Sequence, residues 1–375
     1  MLITLAGLAT GIGFAQSSAV PDKIDGEASK RFSVKILHAH ALPIAAPVVD
    51  EQERRYFAIL RSAAKSSTLD EGFLSSKGST GRSLKFAEAG EPLDLGWGIG
   101  DLSTFRLALG IPVCAIIGND WLSRFSIEFD LDSGVMAAFP INGGGNPSDR
   151  FNEKESLTND PASPPSRFFN LAGFAVNAVL DTGADDEFVI PTAGFERLLR
   201  DGTLDNVQSF QSGGVNGVHE IRVGVLTSSA ATAALPLKTF VSETKANVAS
   251  VGMGLLQHRN FFIDRHSNSL WTRARQVPVP KNDGFTEIGV ALVFPPNAGP
   301  TVYQVVDGSP AGEAGLSTGY VVTRLSGLPA EEINRYTAER ALSKAATDRS
   351  PVEILVSKQG RVERLTLLPP AAAKR

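Results

Sequence analysis

Residues 174–191 read FAVNAVLDTGADDEFVIP. An apolar run, Phe174 to Leu180, delivers Asp181 to a turn and reads as a strand. Gly183 lets the backbone fold tightly there, and the Thr182 hydroxyl can brace the loop. A second apolar run, 188–190, leads away. An Asp-Thr-Gly triplet alone is a weak signal. This one follows an apolar strand, is followed by Ala184, and precedes the apolar-Gly segment ending at Gly252, 71 residues after Asp181. That combination is specific.

Working outward, the same pattern recurs upstream in diverged form. Residues 115–134 read AIIGNDWLSRFSIEFDLDSG, and residues 249–269 read ASVGMGLLQHRNFFIDRHSNS. Aligning Gly118 with Gly252 puts Asp130 on Asp264, each 12 residues downstream, and Leu122 on Leu256. Each segment reads as an apolar strand, a Gly turn, a short helical turn and a strand ending in a polar hairpin. The earlier halves align too. Residues 55–72 read RYFAILRSAAKSSTLDEG, so Ile59-Leu60 falls on Val179-Leu180 and Arg61-Ser62-Ala63-Ala64 on Asp181-Thr182-Gly183-Ala184. The apolar strand is kept; the polar tetrad is not.

Stretches rich in Gly, Pro, Ser and charge separate the chain into blocks. Residues 142–165 read as a linker that packs poorly, and 276–284 as a second break. They leave a first block, 31–141, a second, 166–275, and a third, 284–369. Residues 1–22 begin with an uncharged apolar run, Leu2 to Ala15, of secretory-signal length, with Gly13 and Ala15 as small residues before a cleavage point. The reading is an exported protein, periplasmic or extracellular. No stretch is long enough for a transmembrane helix.

The bulk numbers fit this division. The chain has 375 residues, 42% of them apolar and 20% charged, which allows several packed cores. Thirty-six Gly and 22 Pro suit a mainly β chain with many turns. The net charge is −4 without a long basic run, which argues against nucleic acid as a partner. With one cysteine, Cys114, no intrachain disulfide can form. Five scattered histidines and that cysteine do not make a metal site, and no cofactor motif is present. Ser62-Ala-Ala-Lys65 matches the S-x-x-K nucleophile pattern, but no companion S-D-N or K-T-G follows.

The first two blocks resemble the retropepsin-like aspartic proteases, the first weakly and the second well, on the residues just quoted. The run Asp181-Thr-Gly-Ala-Asp185-Asp186 is the most similar part. The resemblance implies a mainly β fold with two acid-protease β-barrel lobes that hold an extended polypeptide between them. It implies that Asp181, Thr182 and Gly183 form one half of a catalytic loop pair, with Asp185 and Asp186 contacting substrate. In that family each lobe supplies one aspartate; the two carboxyls share a proton, and one activates a water. Here Arg61 and Ser62 stand at the degenerate first-block position. A guanidinium accepts no proton, so the pairing implies an impaired enzyme or a peptide-binding pseudoenzyme. Two copies of the second block, each giving an Asp181, or a substitute acid such as Asp50 or Asp70, are the alternatives. Candidate flap hairpins are Gly213-Gly214-Val215-Asn216-Gly217, with Asn-Gly as a strong turn signal, and Gly78 to Gly81 before Leu84-Lys-Phe86. The oligomeric state stays open at this point.

The third block resembles a PDZ domain, an α+β module. The run VVDGSPAGEAGL, 305–316, carries the likeness, with Gly319 and Gly327 following. Ser309 and Pro310 suit a helix start, and Gly315 its left-handed stop. The resemblance implies that Gly289, Val290, Ala291 and Leu292 would hold the C-terminus of a peptide partner. Tyr320 stands where that family has Asp after the Gly.

Overall fold

The computed structural model describes residues 31–75, 83–141, 147–158, 160–171, 173–214, 217–226, 239–277, 279, 284–296 and 298–369. The protein is mainly β, with four sheets among the described residues. The chain forms two compact units. Among the described residues, the larger holds 31–101 and 114–277; the other holds Leu102–Val113 together with 279–369. Thus twelve residues of the first block, Leu102–Val113, group with the third. No helix among the described residues is long and apolar enough to cross a membrane. The expected leader, 1–22, and the expected first-block hairpin, Gly78 to Gly81, lie outside the described residues.

In the larger unit, the first block builds a six-stranded sheet, in spatial order Leu84–Phe86, Ala45–Asp50, Arg55–Leu60, Val113–Ile117, Thr68–Asp70 and Gly98–Gly100. The second block builds a seven-stranded one: Ser166–Leu171, Phe174–Leu180, Ala249–Val251, Phe188–Pro191, Phe240–Thr244, Gly217–Leu226 and Leu204–Gly214. A third sheet takes strands from both blocks, joined where Phe125–Asp130 pairs antiparallel with Arg259–Asp264. In that register Glu128 faces Phe262, flanked by Ile127 opposite Ile263 and Phe129 opposite Phe261. Glu128 and Phe262 are equivalent positions in the Gly118–Gly252 alignment, so a local two-fold passes between them.

The two aligned glycines show why the pattern needs them. Gly118 and Gly252 each precede a short helix, Asn119–Leu122 and Met253–Leu256, with extended backbone. A Cβ on Gly118 would lie 2.7 Å from the Ser66 backbone, and one on Gly252 would lie 2.4 Å from Asp186 O. Only a residue without a side chain permits this approach. The rest of the core is apolar and aromatic. Trp121 packs against Phe86 and Phe125 in the first block, and Phe169 meets Phe188 edge-on in the second.

The stretch 142–165 departs from its reading as a poorly packed linker. Glu153–Ser156 forms an edge strand on Ser269–Ala274, and Phe151 and Leu157 on either side are buried. Its charges find partners outside the segment, Glu153 on Arg259 and Lys154 over the Trp271 ring in the same sheet, and Glu155 on Arg167 of the seven-stranded sheet. A charged run is compatible with an edge strand, whose outward side chains remain near water. The buried Arg265 guanidinium then ties down the linker's end, donating to Pro161 O, Ser163 O and Asn119 Oδ1 at 2.8, 2.9 and 2.6 Å. Burial pulls its pKa down to about 10.

In the smaller unit the strands Val290–Val293, Thr301–Val305, Val321–Leu325, Val352–Lys358 and Arg361–Leu367 form one sheet in that order. The helix Arg335–Asp348 starts with a reciprocal cap between Asn334 and Thr337. The Ser309 side chain accepts the Gly312 N–H at 3.2 Å to start the helix Pro310–Glu313, and Gly315 follows with φ +82°.

Candidate functional site

The site lies where the loops after Leu60 and Leu180 meet. Each loop hangs from its block's glycine segment by a backbone bond: the Arg61 N–H donates to Ile117 O at 2.9 Å, and the Asp181 N–H to Val251 O at 2.8 Å. The equivalence continues downstream, with Asn119 N–H to Ala64 O and Met253 N–H to Ala184 O.

Between the loops the hydrogen bonds are reciprocal. Thr182 Oγ1 donates to Leu60 O at 2.6 Å and accepts the Ser62 N–H at 3.2 Å. Ser62 Oγ donates to Leu180 O at 2.5 Å and accepts the Thr182 N–H at 3.2 Å. Ser62 and Thr182 therefore do the same work from opposite sides. All these groups are buried, so each bond satisfies a donor and an acceptor that would be costly to leave unpaired.

The symmetry ends one residue earlier. Arg61 Nε donates to Asp181 Oδ2 at 3.2 Å, and both side chains are almost fully buried. Asp181 Oδ1 accepts the Gly183 N–H at 3.0 Å. The aliphatic stem of Arg61 lies across Gly183, where a Cβ would come within 2.6 Å of Arg61 Cγ. The two other acids considered at this site have local duties. Asp50 accepts the Gln52 and Arg54 N–H groups and pairs with the Arg54 guanidinium. Asp70 accepts the Phe73 N–H at 2.8 Å. Ser62, the first residue of the S-x-x-K match, gives its hydroxyl hydrogen to Leu180 O.

A second feature of the site is the acidic run beyond the turn. Asp186 is buried; its Oδ1 accepts from Ser242 Oγ at 3.2 Å, and its Oδ2 finds no partner among the described residues. Burial, reinforced by Asp185 and Asp181, raises its pKa well above the usual carboxylate range. Glu187 accepts the Phe240 N–H at 2.6 Å, and burial pushes its pKa up to about 7 against that bond. The sequence reading named Asp185 and Asp186 but missed Glu187 and Ser242. The unbroken Asp-Asp-Glu run was the available signal for Glu187; nothing local marks Ser242.

The long hairpin of strands Leu204–Gly214 and Gly217–Leu226 belongs to the second block. It sets Gly213 opposite Val218 and Gly214 opposite Gly217. Its turn residue Asn216 lies outside the described residues. In the smaller unit Gly289 has φ +76°, and Val290, Ala291 and Leu292 lie on the sheet's edge strand.

Neither a protein-family model nor a curated protein matches the chain. The functional reading therefore rests on the geometry.

Proposed function

We propose that the larger unit is a pair of retropepsin-like lobes that holds an extended polypeptide but hydrolyses it poorly or not at all. In this reading the third block is a PDZ-like module for a peptide C-terminus. The observation that carries the first part is the Arg61–Asp181 ion pair set inside the reciprocal Ser62–Thr182 bonds. The loop pairing has the form an aspartyl dyad needs, with one of its two acids replaced by a cation. Dyad chemistry requires one carboxylate to take a proton from water while the other protonates the carbonyl oxygen. Asp181 can be the first. Arg61 cannot relay the proton, because its guanidinium stays charged. Peptide binding survives this loss. Asp185 and the hairpin strands Leu204–Gly214 and Gly217–Leu226 offer an acceptor and strand edges to an extended chain.

The test is a peptide library incubated with the purified full-length protein between pH 3 and pH 8. The wild type is expected to show no turnover. Arg61→Asp is expected to gain hydrolysis with an acidic optimum, and Arg61→Asp/Asp181→Asn to lose it again. Efficient cleavage by the wild type, abolished by Asp181→Asn, would sink the proposal and point to a second carboxyl from another chain.

A further inference from the structure

We infer that the edge groove of the smaller unit is a peptide-receiving surface whose resident occupant is the chain's own segment Leu102–Val113. Among the described residues, the strand Val290–Val293 ends the sheet order and pairs on one side only, with Thr301–Val305. An open strand edge of this kind recruits further backbone. Here the recruit is the helix Ser103–Leu109, which packs on that strand and on the helix Arg335–Asp348. Its last turn has orphan carbonyls. Gly110, left-handed at φ +67°, returns its N–H to Arg106 O, and the Phe294 N–H, just past the edge strand, donates to Leu107 O at 2.8 Å. The approach is close: a Cβ on Gly110 would lie 2.6 Å from the Phe294 ring. Leu102, Phe105 and Leu109 are buried, at the spacing of one helix face.

Two features make this occupant displaceable. A seven-residue helix is not stable by itself, so the segment is held by what it packs on. It also meets the edge with a helix-end carbonyl, whereas an added strand would form a ladder of backbone bonds. The partner class is therefore an apolar peptide able to lie extended along 290–294, in competition with residues 102–113. This inference rests on reading the smaller unit as a peptide-binding module.

The test uses the full-length protein and a labelled synthetic peptide with the sequence of residues 102–113. Gly110→Val, which drives a side chain into Phe294, should release the segment and tighten probe binding by about tenfold or more, because apparent affinity scales with the fraction of open grooves. Hydrogen exchange should show the Phe294 amide protected in the wild type, and residues 102–113 exchanging faster in the variant or when excess probe is added. If Gly110→Val does not fold, Leu107→Pro serves, since Leu107 is partly exposed and the change is confined to the helix. Equal probe affinity in wild type and variant would overturn self-occupancy and leave the module reading standing. Failure of the probe to bind a variant whose segment exchanges freely would overturn both.

Discussion

The loops 61–67 and 181–187 share a backbone and almost nothing else. The first reads RSAAKSS and the second DTGADDE. Two cations, Arg61 and Lys65, stand where the second loop has Asp181 and Asp185, and Ser66 and Ser67 replace Asp186 and Glu187. Yet the two are hung by equivalent backbone bonds and braced by matching hydroxyls. The pairing is therefore a scaffold that tolerates either charge. What the acid position holds is separable from what holds the loops.

Even the compensations are mirrored. In the first block Asp120, equivalent to Gly254, reaches back to Ser67, accepting from its N–H at 2.9 Å and from its hydroxyl at 2.6 Å. In the second block the larger Glu187 lies over Gly254, where a Cβ would come within 2.7 Å of Glu187 Cγ. A small residue on one segment admits a large one on the other, and each block has chosen opposite members.

The harshest way to break the comparison is at its one charged contact. Arg61→Met leaves the buried Asp181 carboxylate without its cation and is expected to cost about 3–5 kcal/mol. Urea denaturation measures it. Arg61→Met/Asp181→Leu should recover most of that loss, because an apolar pair of similar size avoids burying any charge. A double variant no more stable than the single would show that the pair is not the dominant interaction of either residue.

The hydroxyl brace offers the next test. Thr182→Val leaves Leu60 O and the Ser62 N–H without their partner, at an expected cost of about 2–3 kcal/mol. Ser62→Ala removes the mirror-image bonds to Leu180 O and the Thr182 N–H, so its cost should be similar. Thermal unfolding of the two variants side by side checks the equivalence. A much cheaper Ser62→Ala would mean that the brace works from one side only.

Much of this was legible in the chain. The 12-residue interval from Gly118 to Asp130 and from Gly252 to Asp264 is a backbone constraint, and such constraints survive divergence because only glycine fits the approach. Aligning Arg61 on Asp181 followed from the two apolar strands that deliver them. The edge strand Glu153–Ser156 was hidden, because its sequence EKES carries no apolar alternation; its stability comes from partners across the sheet. The grouping of Leu102–Val113 with the third block was hidden for a related reason. An apolar helix face does not say which surface it will cover. Ser242 lies 56 residues from Asp186 and is brought to it only by the pairing of Phe188–Pro191 with Phe240–Thr244.

The mildest test sharpens the contrast between Ser67 and Glu187. Glu187 ordinarily titrates near 4.5 and is held at about 7 in the folded protein, chiefly by burial. Below pH 4.5 the group is protonated in both states and costs nothing. Between about 4.5 and 7 the unfolded chain ionises while the folded one keeps its proton, so stability falls as pH rises, and above 7 the full penalty stands. The gap corresponds to about 3 kcal/mol, and partial exposure of the side chain reduces it to about 1–2 kcal/mol. Glu187→Gln keeps an acceptor for the Phe240 N–H and removes the charge. It should stabilise the protein by that amount at pH 8 and leave it unchanged at pH 4. Ser67→Ala, at the equivalent place, removes a hydroxyl that donates to Asp120 and accepts the Gly118 N–H. It should destabilise the protein at pH 8, opposite in sign to Glu187→Gln, because it leaves the Gly118 N–H without its acceptor. A pH-independent effect of Glu187→Gln would show that the carboxyl is already ionised in the fold, making the acidic run a solvated anion where the geometry describes a buried acid.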